Sequence, residues 1–405
     1  MTHGVVIVGA SLAGAHAALS LRRLGYQQPV TLVGAEDRLP YERPELSKGF
    51  LAGTVTEDAL FVATQQDYDD AAIELRLSTT ATGVDVPRRR LLLEGDEVPY
   101  DDLVIATGSS NITPRLPGID LPGVLQLRTL DDAETLAAAA EDAGRVVVIG
   151  TGLVGCEVAA TLNGRGLQVT ALDLLPGPLW ALLGPELSDL VRGWHEEHGV
   201  QIVGGTGVVA IEGAGRVERV VLTDGRTLDA DLVVVGVGAR PAIRWLQDVP
   251  LHLDAGGVGV DPQLRTSVKS VYAAGDVAAV WDPTAGKHRR VEHYNSAVEQ
   301  GDRVAHVIAG VAVPSIGPTW FWSRQFGHYL QYAGEHGPGD VLVRRPDPFA
   351  AFFRRGDVLR AVATVDNGRD LRRALKLLGR VVDPGLLADP AVDLRTLLDG
   401  PERRP

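Results

Sequence analysis

The chain has 405 residues, 45% hydrophobic and 22% charged. At roughly 150 residues per domain this gives two or three domains with ample core, and it excludes disordered and collagen-like architectures. Lysine and arginine number 39 against 52 aspartate and glutamate, a net charge of −13, which excludes a general nucleic-acid binder because such proteins need surplus cations to neutralise phosphates. The single cysteine, Cys156, excludes an intramolecular disulfide, a dithiol redox centre and a cysteine-rich metal site.

In chain order, the first predicted strand is Val5-Val6-Ile7-Val8-Gly9, followed by Ala10-Ser11-Leu12-Ala13-Gly14 and an amphipathic helix that Gly25 stops. Val30-Thr31-Leu32-Val33 supplies the next strand. The pattern then returns. Val146-Val147-Val148-Ile149-Gly150 runs through Thr151-Gly152-Leu153-Val154-Gly155 into a helix ended by Gly166, and Val169-Thr170-Ala171-Leu172 follows. Each unit is a βαβ of about 30 residues whose β-branched strands read as buried on both faces. Further strands are predicted over 103–107, 232–237 and 271–274, each ending at or beside glycine as at the carboxyl edge of a parallel sheet. Residues 114–122, rich in proline and glycine, read as a linker. Beyond residue 316 the texture changes: 329–333, 341–343 and 358–365 alternate like antiparallel strands, and 371–378 reads as a helix. His195 and His198, three apart on a predicted helix, are expected on its solvated face, and the ten histidines show no metal-ligand spacing, so no metal is expected. The N-terminal stretch lacks a basic segment and reads as a motif, not a signal peptide. No apolar run reaches the roughly 18 to 20 residues that span a bilayer. The expectation is a cytoplasmic protein without membrane contact.

The two glycine units carry the chemistry. In a strand–turn–helix dinucleotide motif the first glycine makes the tight turn, the second lets the backbone approach a pyrophosphate, and the third allows close helix–strand packing. The helix N-terminus adds unpaired N–H groups and a positive dipole. Gly150, Gly152 and Gly155 fit this pattern fully, whereas Gly9 and Gly14 enclose Ser11 at the middle place. An acid at the end of the second strand holds the adenosine ribose: Glu36 in the first unit and Asp173 in the second, where its charge opposes a 2′-phosphate and favours NADH over NADPH. A flavin needs a further anchor, and the run into Gly275 and Asp276 supplies one. Thr107 and Gly108 mark a buried strand ending where the chain passes close to a ligand. Gly238, after the strand 232–237, and Glu292 complete the cofactor-binding set.

These residues form an ordered series: Val6-Ile7-Val8-Gly9, Pro44-Glu45-Leu46-Ser47-Lys48, Ile105-Ala106-Thr107-Gly108, the second glycine unit with Glu157, Ala273-Ala274-Gly275-Asp276, Glu292-His293 and Trp322-Ser323. The series resembles the FAD-dependent, NADH-using ferredoxin reductases of bacterial oxygenase systems, and the resemblance covers nearly the whole chain. It implies an α/β fold of two Rossmann-like dinucleotide-binding domains, glutathione-reductase-like, plus an α+β C-terminal domain. FAD would occupy 1–112 and 237–315, NAD 113–236, and residues 316–405 would cover the flavin. It implies FAD contacts from Gly9, Ala13, Gly14, Glu36, Arg43, Lys48, Ala81, Arg128, Asp276 and Tyr294. It places Trp322 beside the isoalloxazine and nicotinamide, and Glu157 facing the nicotinamide in a pair with Lys48, whose cation would stabilise negative charge on a reduced ring. Three positions depart from the family. Ala35 stands where an aspartate is common. Tyr294 replaces tryptophan or a small apolar residue. Arg324 replaces the aspartate of a Trp-Ser-Asp-Gln run.

The implied activity is electron transfer from NADH through FAD to an iron–sulfur ferredoxin, which in turn feeds an oxygenase. A rubredoxin reductase, or a redox sensor similar to apoptosis-inducing factor, is the alternative. An NADH oxidase or peroxidase would need a redox cysteine near the flavin, and the Ser47-Lys48 region has none. From residue 316 onward 14 basic residues face 11 acidic ones, about +3, leaving about −16 for the rest. The pairs Arg344-Arg345, Arg354-Arg355 and Arg372-Arg373, with Arg324, are expected to steer an acidic ferredoxin.

Overall fold

The computed structural model describes residues 3–315 and 317–399. The chain divides into two compact units, the first ending at Pro314 and the second starting at Ser315.

Two five-stranded parallel sheets organise the first unit, and four of their five strands follow one order; the fifth, Val271–Ala273, comes last in the chain order of the first sheet, whereas Val124–Leu125 comes first in that of the second. In the first sheet Val271–Ala273, Asp102–Ile105, Val5–Val8, Val30–Val33 and Ile73–Arg76 lie side by side. In the second the order is Gln201–Val203, Gln168–Leu172, Arg145–Ile149, Leu232–Val235 and Val124–Leu125. Each glycine turn follows the central strand of its sheet. The apolar runs are buried on both faces, as β-branched parallel strands require. Helix Leu12–Arg23 ends before Gly25, whose φ of +80° leaves the helical region. It packs closely against helix Tyr294–Ala309. Gly301 permits that approach, since a Cβ there would stand 2.4 Å from the Ala13 carbonyl oxygen.

The chain crosses between the sheets twice, through one antiparallel ribbon. Ser109–Asn111 pairs with Ala239–Pro241, and the Ile112 N–H donates to the Gly238 carbonyl at 2.9 Å. Residues 114–122 are irregular, as expected, but they are stitched to neighbouring strands through bonds accepted by the Pro117 and Pro122 carbonyls. Helix Trp180–Glu197 is broken in direction at Gly184 (φ 74°), before Pro185. One expectation is corrected in this helix: His198 is exposed, but His195 is fully buried. His195 continues the buried stripe of Leu183, Leu187 and Val191 at four-residue spacing beside Trp194, whereas His198 lies at the helix end.

A four-stranded sheet of Leu253–Asp254, Gly257–Val260, Ala278–Asp282 and Lys287–Arg289 completes the features of the first unit used below. The second unit is an antiparallel sheet in the order Trp320–Gln325, His328–Gly334, Val358–Val365, Ala350–Arg355 and Val341–Arg345. The predicted helix 371–378 is realised as Gly368–Ala374, capped by the Asn367 side chain and followed by a 3₁₀ turn. Among the described residues no helix is long and apolar enough to cross a membrane.

The expected arginine surface is corrected by this unit. Neighbours on a strand point to opposite faces, so each strand pair contributes one exposed and one buried cation. Arg345 is 2% exposed, bonded to the Leu386 and Leu387 carbonyls and 3.3 Å from Asp370. Arg354 is buried against Asp357, while Arg355 is exposed and held by Asp340. Arg373 is half-buried near Asp370 and Asp393. Arg324, Arg344 and Arg372 are exposed, the first two over the rings of Tyr329 and Phe349.

Candidate dinucleotide site

Both glycine turns are built the same way. Gly9 and Gly150 have φ of +115° and +103°, closed to L side chains, and a Cβ on either would meet a carbonyl of the adjoining strand's end, Ala106 or Gly236, at 2.2 and 2.3 Å. Gly14 and Gly155 press on the carbonyl oxygens of Gly9 and Gly150, leaving 2.1 and 1.9 Å for a Cβ. The middle position differs. Gly152, the N-cap of helix Leu153–Gly164, has nothing within 4 Å of where its Cβ would be. Ser11 occupies the same place before Leu12–Arg23, and its hydroxyl makes no capping bond to that helix. The open space at Gly152 fits a pyrophosphate, which helix N-termini bind.

A cavity of about 790 Å³ opens from the second turn, within the size range of ligand sites. Gly150, Gly152 and Asp173 line it together with Arg128, Asp276 and Glu292. Gly238 also lines it, at φ +110°. Asp173 is more engaged than the motif suggests. It accepts from the Thr151 N–H at 2.7 Å, the Thr151 hydroxyl at 3.0 Å and the Leu175 N–H at 2.9 Å. It therefore holds the turn in shape.

Four of the residues assigned to FAD, Glu36, Arg43, Arg128 and Asp276, form one polar network. Glu36 accepts from the Tyr41 hydroxyl and, at 2.7 Å, from Arg43. Arg43 also donates to the Arg128 carbonyl and lies over the Tyr41 ring. Arg128 and the Ser109 hydroxyl both donate to Asp276, at 3.1 and 2.8 Å. Burial and the Glu36 carboxylate raise the Tyr41 phenol, against the opposing pull of Arg43. Tyr294 opens helix Tyr294–Ala309 and donates to Glu42 at 2.6 Å, and burial with this carboxylate pushes its phenol up. The departure at this position thus comes with a partner. Glu292 pairs with Arg290 at 2.5 Å.

The other assigned positions have local roles. The Thr107 hydroxyl donates to the Ala242 carbonyl at 3.0 Å, and Gly108 has φ +63° beside Arg128. Ala81 begins strand Ala81–Asp85, half-buried against the core. Ala13 is buried where Gly275 and Gly301 approach it, so it spaces helices. Trp322 is half-buried on its strand, its ring tilted 5.4 Å from that of Trp320.

Lys48 and Glu157, 109 residues apart, meet at 2.6 Å, 9% and 4% exposed. Glu157 sits in the first turns of the second glycine helix, and Lys48 follows the 3₁₀ turn Pro44–Ser47. The same Glu157 oxygen accepts from the Ser47 hydroxyl at 2.5 Å. Lys48 donates in addition to the Pro44 carbonyl and, weakly at 3.4 Å, to Ser47. Thr161 of that helix donates to the Ser47 carbonyl at 2.8 Å. Ser47, Tyr41, Ser109 and Thr151 are the working residues that sequence reasoning did not single out; each is a hydroxyl with a partner more than 20 residues away in the chain. Cys156 is buried beside this pair, its thiol donating to the Thr151 carbonyl and pushed up by burial.

Residues 3–301 match the pyridine nucleotide-disulphide oxidoreductase family, and residues 320–398 match a reductase C-terminal family. The chain is 36% identical to the benzene 1,2-dioxygenase system ferredoxin–NAD(+) reductase subunit of Pseudomonas putida, over 98% of each chain. Its fold matches a ferredoxin reductase for the CYP199A2 system from Rhodopseudomonas palustris with a TM-score of 0.94 and 36% identity, covering 98% of this chain and 100% of the other. It also matches putidaredoxin reductase in a covalent complex with putidaredoxin, with a TM-score of 0.93 and 31% identity over 98% of both.

Proposed function

We propose, starting from the fact that this chain belongs to the pyridine nucleotide-disulphide oxidoreductase family, that it is an FAD-dependent NADH:ferredoxin reductase serving an oxygenase. The observation that carries this reading is the pair of glycine turns with matching first and third glycines, each following the central strand of a five-stranded parallel sheet in one unit, which suits two dinucleotides. The similarity to reductases named for ferredoxin partners supports the choice of acceptor. The balance is NADH plus two oxidised ferredoxins giving NAD⁺, a proton and two reduced ferredoxins. When bound, FAD supplies the conversion of one hydride into two single-electron transfers.

The chain's own residues bind, orient and neutralise. On this reading residues 1–112 and 237–315 hold FAD, 113–236 hold NADH, and 316–405 form the third domain. Gly9, Ser11 and Gly14 receive one pyrophosphate, with Glu36, Arg43, Arg128 and Asp276 around the remainder of FAD. Gly150, Gly152 and Gly155 receive the other, and Asp173 selects NADH. Glu157 fixes the Lys48 ammonium in a buried position. The long Lys48–Ser47 contact is the weakest of its three and the one a ligand acceptor can replace. Trp322 is the aromatic assigned to the ring. The cellular site is the cytoplasm. No thiol takes part: Cys156 is buried and its proton is committed to a carbonyl.

The test is direct. Purified protein should be yellow, with about one FAD per chain, and should reduce a [2Fe–2S] ferredoxin with NADH at many turnovers per minute. A chain that stays colourless after incubation with FAD refutes the reading. So does one that is reduced by NADH but turns over only slowly with every acceptor, the behaviour of a redox sensor.

A further inference from the structure

A second convergence of chemistry lies on the four-stranded sheet, and none of its members lines the cavity. His252, Asp254 and His288 each turn one ligand atom to a common point, all within 4.8 Å of one another. His288 Nδ1 stands 2.8 Å from Asp254 Oδ2, and His252 Nε2 stands 3.9 Å from the same oxygen. We propose that these three side chains bind a divalent cation of the zinc class, leaving one coordination position to solvent.

The sheet is built to bring them together. The His252 ring lies across Gly259, where a Cβ would be 2.6 Å from its Cδ2, so only glycine at that position lets the ring reach over the strand. The His252 main chain is fixed by donating to the Ser267 hydroxyl and accepting from the Gly259 N–H, both at 2.9 Å. Asp254 is aimed by its other oxygen, which accepts from the Ala255 N–H at 2.6 Å in a turn with positive φ at Ala255 and Gly256. His288 is the least exposed of the three and packs edge-on against Trp281, centroids 5.2 Å apart. The neighbouring cations are committed elsewhere, Arg289 to Asp282 and Arg290 to Glu292 and the Ala255 carbonyl.

Two imidazoles and a carboxylate are the donor set of zinc sites that keep an open position. With metal–ligand bonds of about 2.0–2.2 Å, tetrahedral ligands stand roughly 3.4 Å apart. The 2.8 Å contact must open a little and the widest separation close by about 1.4 Å. Rotation of half-exposed side chains accomplishes both. A single histidine–carboxylate ion pair would satisfy Asp254 and leaves the placement of His252 over Gly259 without a purpose.

Untagged holoprotein is titrated with Zn²⁺ by calorimetry in a non-chelating buffer near neutral pH. The expected result is one equivalent that His288→Ala and His252→Ala each weaken by at least about 10-fold, the scale on which metal sites respond to lost support. Gly259→Ala should weaken it as well, by displacing the His252 ring. Cu²⁺ should quench Trp281 fluorescence, the quench disappearing in Trp281→Phe and in His288→Ala. Flavin absorbance and NADH–ferricyanide turnover should be those of the parent in every variant, which controls for folding. Equal Zn²⁺ uptake by the parent and a His252→Ala/His288→Ala double variant is adventitious binding to other histidines and overturns the proposal. So does a parent that takes up none.

Discussion

Replacing Gly152 and Gly155 by alanine, one at a time, separates a glycine kept for a ligand from one kept for the fold. Gly152 has ordinary backbone angles (φ −71°, ψ −172°) and open space where its Cβ would go. The alanine therefore costs the free protein nothing and trims unfolded-state freedom by about 0.4–1 kcal/mol. If that space receives the pyrophosphate, the methyl pushes it off the helix N-terminus. Losing even one hydrogen bond to a charged group costs about 1.5–3 kcal/mol, roughly 10- to 100-fold in affinity. At Gly155 the Cβ would lie 1.9 Å from the Gly150 oxygen, where side-chain carbons essentially never come within 3.0 Å, so turn and helix must part by more than 1 Å. Overpacking on that scale costs about 1–3 kcal/mol, or roughly 2–12 °C in Tm for a domain of this size. Differential scanning fluorimetry and stopped-flow bleaching of the flavin at varied NADH read the two quantities. Gly152→Ala should show an unchanged or slightly raised Tm with NADH affinity down at least tenfold. Gly155→Ala should lose both. Parental NADH affinity in Gly152→Ala would refute the assignment of the turn.

Three further outcomes are expected. Asp173→Asn removes the charge and keeps one of the two acceptor oxygens, so that either Thr151 or the Leu175 N–H loses its partner; the NADH-to-NADPH ratio of kcat/KM should fall by about 10-fold or more, the worth of one charged contact, with a modest fall in Tm, and an unchanged ratio would place discrimination elsewhere. Hydrogen bonds from the Arg145 guanidinium and the Arg145 and Gly144 N–H groups hold the Asp231 carboxyl at about 2, below its unfolded value, so its stabilisation is full above about pH 5 and is lost as pH falls through 4 toward 2. Asp231→Asn should cost no more than about 1 kcal/mol at pH 7 after solvent screening, and a Tm deficit that persists at pH 2 would contradict this. Exposed Arg324, Arg344, Arg355 and Arg372 should make ferredoxin reduction fall steeply with salt as the Debye length shrinks to roughly 8 Å, with ferricyanide reduction falling less; Arg324→Asp should slow the ferredoxin reaction and leave hydride transfer unaltered, and equal salt sensitivity of both acceptors would remove the steering argument.

The parallel strands and both glycine turns were legible because they are local: each is a β-branched run, a turn and a helix start within thirty residues. What escaped depends on which way a side chain points once the chain is folded. Arg345 and Arg354 read as surface cations beside Arg344 and Arg355, but strand alternation turns one of each pair inward. His195 was assigned to solvent with His198, although Leu183, Leu187 and Val191 at four-residue spacing put it on the buried stripe. Ser47 carries no signal of its own, and its bond to Glu157 joins positions 110 residues apart. The Lys48–Glu157 contact came only through resemblance to a family. His252 and His288 have no ligand spacing in sequence because a hairpin and two further strands separate them.

The ribbon joining Ser109–Asn111 to Ala239–Pro241 makes everything between its strands a cassette. Antiparallel partners sit about 5 Å apart, a gap that a two-residue turn closes, so a gene fusing Asn111 to Ala239 through such a turn would encode the first sheet with all five strands in place. The cassette repeats four strands of its host's order and the glycine turn that follows the central one. On the proposed reading, dinucleotide preference would be exchanged there as a block, and a graft has to restore bonds that cross the seam, among them Lys48 to Glu157, Ser47 to Glu157 and Thr161, and Arg128 to Arg43 and Asp276.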